Sequence, residues 1–108
     1  MAKKAMKVLN IGQPVQVLRA ARPPMINGHP MTIGELLCQI IPMLPDRGDY
    51  MRIWSIGLDI DRAIGAGKKT LELSDLDYTM LKKNVIRPDD GRETWAKANL
   101  ERAFEEVK

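Results

Sequence analysis

One histidine and one cysteine are all that 108 residues provide of the side chains that most often carry nucleophilic, redox or metal chemistry. A zinc site draws its ligands from several Cys, His or carboxylate groups, and His29 and Cys38 are expected on different elements, so no metal and no cofactor is expected. A lone cysteine cannot close an internal disulfide, and Cys38 sits among Leu36, Leu37, Ile40 and Ile41, where apolar surroundings raise a thiol's pKa. It is expected to be an inert core residue. His29 has no acid or nucleophile close in sequence to orient it, and is expected to be an exposed loop residue.

Aromatics are also scarce. Two Trp, two Tyr and one Phe make five, and none is interleaved with the basic N-terminal residues, which argues against a stacking surface for single-stranded nucleic acid. Trp54 and Trp95 are expected to be core or core-edge anchors. Long apolar runs are missing as well: none approaches the ~20 residues that cross a bilayer, so no membrane association is expected. The opening Met1 to Lys7 is basic like an export signal, but Val8 to Pro14 is too short and too polar for an export core, which points to the cytoplasm.

Acids are absent from residues 1–22, which hold Lys3, Lys4, Lys7, Arg19 and Arg22, whereas residues 89–108 hold six acids against four bases. The overall charge of +3 therefore conceals a polarised chain. Those five cations are the candidate nucleic-acid contacts, and residues 1–7 are expected to form a flexible basic arm on a single domain spanning 1–108.

Two motifs suggest chemistry and fail on spacing. Gly65-Ala66-Gly67-Lys68 lacks the earlier glycine and the Ser or Thr after lysine that a phosphate loop requires, since Arg62 and Lys69 stand there. A glycine helix cap explains it. Asp59/Asp61 and Asp75/Asp77 are two apart, about 200° on a helix, so neither pair converges on one ligand.

The chain is otherwise rich in local folding signals. Val8, Leu9, Ile11, Val15 and Val17 lie among Gly12 and Pro14, predicting one or two short strands. Asn27-Gly28 between Met25-Ile26 and Met31 predicts a hairpin or tight loop. Thr32-Ile33-Gly34-Glu35 reads as a capping box that opens a helix with Leu36, Leu37, Ile40 and Ile41, which Pro42 stops or kinks. A second helix begins between Asp46 and Asp49, presents Tyr50, Ile53, Trp54, Gly57, Ile60 and Ile64 as one face, and ends at Gly65 to Gly67. Thr70 to Leu73 alternates as a strand. Ser74 then caps a third helix whose apolar positions include Leu76, Tyr78, Leu81 and Val85, and which Pro88 stops. A last helix starts around Asp89 to Arg92 and buries Ala96, Leu100, Ala103, Phe104 and Val107.

The order of these signals, from Thr32-Ile33-Gly34-Glu35-Leu36-Leu37 to Leu71-Glu72-Leu73-Ser74-Asp75-Leu76-Asp77 and Leu81-Lys82-Lys83-Asn84-Val85, resembles small accessory proteins of tailed bacteriophages and prophages. The resemblance spans Met25 to Val85 and implies a non-enzymatic part in virion assembly or in modulating host factors. It carries over no functional residues. The fold class expected from the residues is α+β, a compact four-helix domain with a small N-terminal β-hairpin or short sheet. The expected function is non-enzymatic docking on another protein or self-association, with Met25, Ile26, Asn27 and Met31 as the contact patch and nucleic-acid binding through the basic residues as the alternative.

Overall fold

A computed structural model of the chain describes residues 6–18, 22, 24–26, 28–44, 48–86 and 93–107. In chain order the elements are β1 (Met6–Asn10), β2 (Met25–Ile26), β3 (His29–Pro30), α1 (Ile33–Ile40), a 3-10 turn (Ile41–Met43), α2 (Tyr50–Gly65), β4 (Thr70–Ser74), α3 (Asp75–Val85) and α4 (Thr94–Glu105). Four helices and a small antiparallel sheet that incorporates the N-terminal segment make this an α+β fold, as the pattern of signals predicts.

β1 and β4 pair antiparallel from Met6 opposite Ser74 to Asn10 opposite Thr70. Their alternation is the cause: Leu9 and Leu73 are buried while Val8 and Glu72 face solvent. Pairing continues past the strand ends, with the Ile11 N–H donating to Lys69 O at 2.9 Å. The chain then crosses the start of α1. There the four amide hydrogens that a helix leaves without internal partners are all accepted. Ile33 N–H donates to Gln13 O at 2.8 Å and Gly34 N–H to Ile11 O at 2.9 Å. The remaining two form the expected capping box, Thr32 N–H to Glu35 Oε1 at 2.9 Å and Glu35 N–H to Thr32 Oγ1 at 3.3 Å. So close an approach requires glycine, because a Cβ on Gly34 would lie 2.9 Å from the Ile11 Cβ.

Pro42 ends α1 as expected, converting the chain to the 3-10 turn Ile41–Met43. α2 closes on Gly67 at φ +76°, with Gly67 N–H donating to Ile64 O at 3.0 Å and Lys68 N–H to Ala63 O at 2.9 Å. That pair of bonds is the Schellman arrangement, which accounts for the glycines without a phosphate. Ser74 caps α3 by accepting from Asp77 N–H at 3.1 Å. α3 ends at Val85, ahead of Pro88 as expected, and α4 begins at Thr94 with Glu93 extended before it, later than the expected start between Asp89 and Arg92; residues 87–92 lie outside the described residues.

The core gathers Leu9, Ile11, Leu37, Ile60, Leu81, Leu100 and Phe104, each at most 1% exposed. Ala96, Leu100, Ala103 and Phe104 of the predicted α4 stripe are buried, whereas Val107 lies past the end of the helix and is half-buried. One position on that helix is not apolar: Asn99, 3% exposed, accepts from Gln16 N–H at 2.7 Å and donates to Gln16 O at 2.8 Å. The side-chain amide thus holds the extended segment after β1 as a strand neighbour would. Leu76 departs from expectation, lying 57% exposed on the solvent face of α3.

Replacing Gly34 with alanine is expected to cost about 1–3 kcal/mol, because either Ile11 or the helix start must shift. Gly65→Ala is expected to be neutral or stabilising by up to ~1 kcal/mol, since a Cβ there meets nothing within 4 Å on a helical residue. Urea denaturation of both variants checks this, and a Gly34→Ala protein as stable as wild type would show that the N-terminal segment is not pressed against α1.

Candidate functional site: an apolar arc on α2 and the 3-10 turn

At about 100° per residue, the sixteen residues of α2 carry two apolar arcs. Ile53, Ile56, Ile60 and Ala63, spaced three, four and three apart, are buried and form the core stripe. Tyr50, Met51, Trp54 and Leu58 form the second arc, and they are exposed by 55%, 68%, 50% and 38%. This corrects the expected single face. Tyr50 and Trp54 do not join Ile53 and Ile60 inside the protein, because a stripe centred on Ile56 turns both of them away from the core. Trp54, expected as a core or core-edge anchor, is half exposed on this second arc for the same reason, whereas Trp95 is half-buried against the core edge as expected.

The 3-10 turn extends this second arc. Pro42 brings Met43 out to 73% exposure and sets Ile41 against Gly57, where an added Cβ would come within 3.2 Å of the Ile41 Cγ2. Between the turn and α2 lie two depressions that share Ile41, Pro42 and Trp54. The larger, of about 380 Å³, is also lined by Leu44, Tyr50, Ile53 and Asn84. The smaller, of about 160 Å³, reaches Cys38, Gly57, Leu58 and Asp61. The larger is of a size that receives one large side chain or a small ligand, and its polar groups are few: the Tyr50 hydroxyl and the Asn84 amide, whose Nδ2 donates to Met80 O at 2.8 Å. Arg52, on the flank of the arc, is held by Asp77 on α3 at 2.8 Å.

Cys38 borders the smaller depression and is half-buried rather than a full core residue. Burial, and then the negative charges of Asp61 and Glu35, push its thiol up from 9.0 to about 11. That is the opposite of what a nucleophilic cysteine requires. His29 has an orienting acid after all: its Nε2 lies 2.9 Å from Glu35 Oε2, six residues on, because the hairpin folds back over the capping box. Glu35 is already committed to Thr32, accepting from its N–H at 2.9 Å and its hydroxyl at 3.0 Å. Burial raises the carboxyl's pKa, but the Thr32 and His29 hydrogen bonds outweigh it and leave the group below its ordinary value. The arrangement holds charge in a structural cap and does not bring His29 into hydrogen-bond contact with the thiol. Among the described residues, no three His, Cys, Asp or Glu side chains gather to hold a metal ion, and no helix is long and apolar enough to cross a membrane.

The expected contact patch is only partly at the surface. β2 and β3 form the predicted hairpin, Ile26 opposite His29, with Gly28 at φ +82° in the turn; Asn27 lies outside the described residues. Met25 is 58% exposed and Ile26 is half-buried, but Met31 is 5% exposed and belongs to the core. The correction has a backbone cause: Met31 N–H donates to Pro24 O at 2.8 Å and Met31 O accepts from Val15 N–H at 2.9 Å, which fixes the residue beneath the N-terminal segment.

The basic residues divide similarly. Lys3, Lys4 and Arg19 lie outside the described residues. Lys7, expected in a flexible arm with Met6, is instead part of β1 opposite Leu73, with its Nζ 4.0 Å from Asp75 and 5.9 Å above the Tyr78 ring. Arg22 is exposed beside Val17, Leu18 and Trp95 around a cavity of about 520 Å³. Lys7 and Arg22 are therefore placed on separate features. No protein-family model, curated protein or solved structure matches the chain.

Because thiolate is the reactive form, the elevated Cys38 pKa makes modification slow at neutral pH and faster by about tenfold per pH unit up to about 11. A thiol held at about 11 in place of 9.0 reacts at pH 8 roughly 100-fold more slowly in the native protein than in the denatured chain. Removing a nearby negative charge with Asp61→Asn should speed the native reaction. Timed alkylation with iodoacetamide reads all three, and equal native and denatured rates would refute the assignment.

Proposed function

We propose that the chain is a non-enzymatic, cytoplasmic docking module, working in the manner of the phage accessory proteins it resembles by binding another protein. The observation that carries this reading is the second apolar arc of α2, where Tyr50, Met51, Trp54 and Leu58 adjoin Pro42 and Met43 with no covering element among the described residues. Burying a large apolar side chain is worth roughly 1.5–3 kcal/mol, so leaving four on one helix face forgoes stability that a partner can recover. The exposed half of Trp54 between two depressions has the character of a binding anchor: a rigid aromatic at the centre, apolar walls around it and charged groups such as Asp61 at the rim. The partner's complement is a large apolar side chain seated in the 380 Å³ depression. The hairpin is the weaker surface, since burial of Met31 leaves Met25 as its one strongly exposed apolar residue.

Affinity capture from the native host, read by mass spectrometry, tests this with three variants. Trp54→Asp and Met51→Asp are expected to lose the partner that wild type retains, at a cost of about 2 kcal/mol or more in affinity, with the melting temperature essentially unchanged. Met25→Asp is expected to retain it. The reverse pattern, loss with Met25→Asp and retention with Trp54→Asp, would move the docking surface to the hairpin and end this proposal.

A further inference from the structure

Among the described residues β4 has an unused edge, and strand parity identifies which groups lie on it. The bond from Ile11 N–H to Lys69 O makes that pair a hydrogen-bonded one. Alternation along an antiparallel ladder then makes Leu9 with Leu71 and Lys7 with Leu73 the bonded pairs, and turns the N–H and C=O of Thr70 and Glu72 away from β1. No backbone partner meets them there among the described residues, since the sheet contains β1 and β4 alone. Beside this edge runs a cleft of about 690 Å³, bounded across from the strand by Ala63 on the last turn of α2 and Ala66 just past its end. Thr70 and Glu72 are exposed, and so is Lys68 just before the strand.

A row of outward-facing amides and carbonyls is a template for another strand. We propose that the strand is β4 of a second copy of this chain, antiparallel across a two-fold axis at Thr70, so that the two sheets join as β1-β4-β4-β1. Charge selects that register. An axis at Glu72 would set two carboxylates directly opposite each other, and an axis at Leu71 would leave Lys68 facing Ser74. An axis at Thr70 sets Lys68 of each copy opposite Glu72 of the other, two opposite-charge pairs, while Thr70 exchanges both of its backbone bonds with its mate and the Lys68 N–H stays on Ala63 O in the turn that closes α2. This association goes beyond docking through α2 and uses none of the residues assigned to that surface.

Sedimentation equilibrium over a dilution series is the test. Wild type is expected to move from its 12.2 kDa monomer toward twice that mass as concentration rises. Glu72→Lys and Lys68→Glu should each abolish the shift, and the double exchange K68E/E72K should restore it. Thr70→Pro should abolish it too while keeping the melting temperature, because the amide it removes does not point to β1. In a Cys38→Ser background, Thr70→Cys should form an interchain disulfide on mild oxidation and Glu72→Cys should not, since residues 70 face each other across the axis and residues 72 do not. A wild type that stays monomeric up to millimolar concentration, or a double exchange that fails to restore dimer, would overturn the proposal.

Discussion

The amide hydrogens at the start of α1 are the point on which the arrangement turns. A helix N-terminus buried against other chain must find acceptors for four N–H groups, and here a side chain and a passing segment divide the task. Thr32 and Glu35 satisfy two between themselves, and the carbonyls of Ile11 and Gln13 satisfy the others. The second pair is non-local, so the helix cannot sit in the core unless the N-terminal segment lies across it. Once Ile11 is fixed there, β1 is fixed just before it, β1 templates β4, and Ser74 at the end of β4 begins α3 with no intervening loop. Gly34 allows the crossing by having no Cβ to meet Ile11. Asn99 closes the other side by holding Gln16 with the same two-bond pattern.

That scaffold consumes polar chemistry in structural work. Glu35, the carboxylate best placed to act with His29, is bound by Thr32 through both its backbone and its hydroxyl. Asp77, in the first turn of α3, receives Arg52 from α2, and Asn99 and Asn84 spend their amides on backbone carbonyls. A group held this way has little freedom to exchange a proton with a substrate. The exposed large apolar side chains are concentrated where α2 turns a second arc outward.

The features legible in the sequence are those set by neighbours within four or five residues. Thr32 with Glu35, Ser74 with Asp77, the break at Pro42 and the left-handed turn at Gly67 all depend on local geometry, and each occurs where the residues place it. The Thr70 alternation also succeeded, because a period of two fixes which side faces inward even before the partner strand is known. Met31 and Trp54 were misplaced because each depends on what packs above it. Both are large apolar residues beside turn or helix signals, and only the path of Val15 over Met31, and the turning of α2 onto Ile56, separates the buried one from the exposed one. Lys7 was lost to a composition argument: a basic run reads as solvated, yet its alternation with Leu9 already placed it on the inner face of a strand, where a lysine stem covers Tyr78 and carries its charge out to Asp75. Asn99 was detectable in principle, since it is a polar residue at i+3 from Ala96 and i−4 from Ala103 on an otherwise apolar stripe.

α2 links the two surfaces proposed for docking and for self-pairing, and its two ends differ in a way that keeps them apart. Its first half presents Tyr50, Met51, Trp54 and Leu58, large residues suited to burying area against a partner. Its second half presents Ala63 toward β4, followed just past its end by Ala66, small residues that leave room beside a strand edge before the Gly67 turn that leads into β4. A strand added at β4 gains mostly backbone bonds, each worth about 0.5–1.5 kcal/mol net, so it forms a weak interface with defined register. A partner at Trp54 gains apolar burial, which is larger and less directional. The chemistry thus assigns affinity to one end of the helix and geometry to the other, and two copies joined at β4 would display two Trp54 faces to whatever they bind, which raises effective affinity without any further contact.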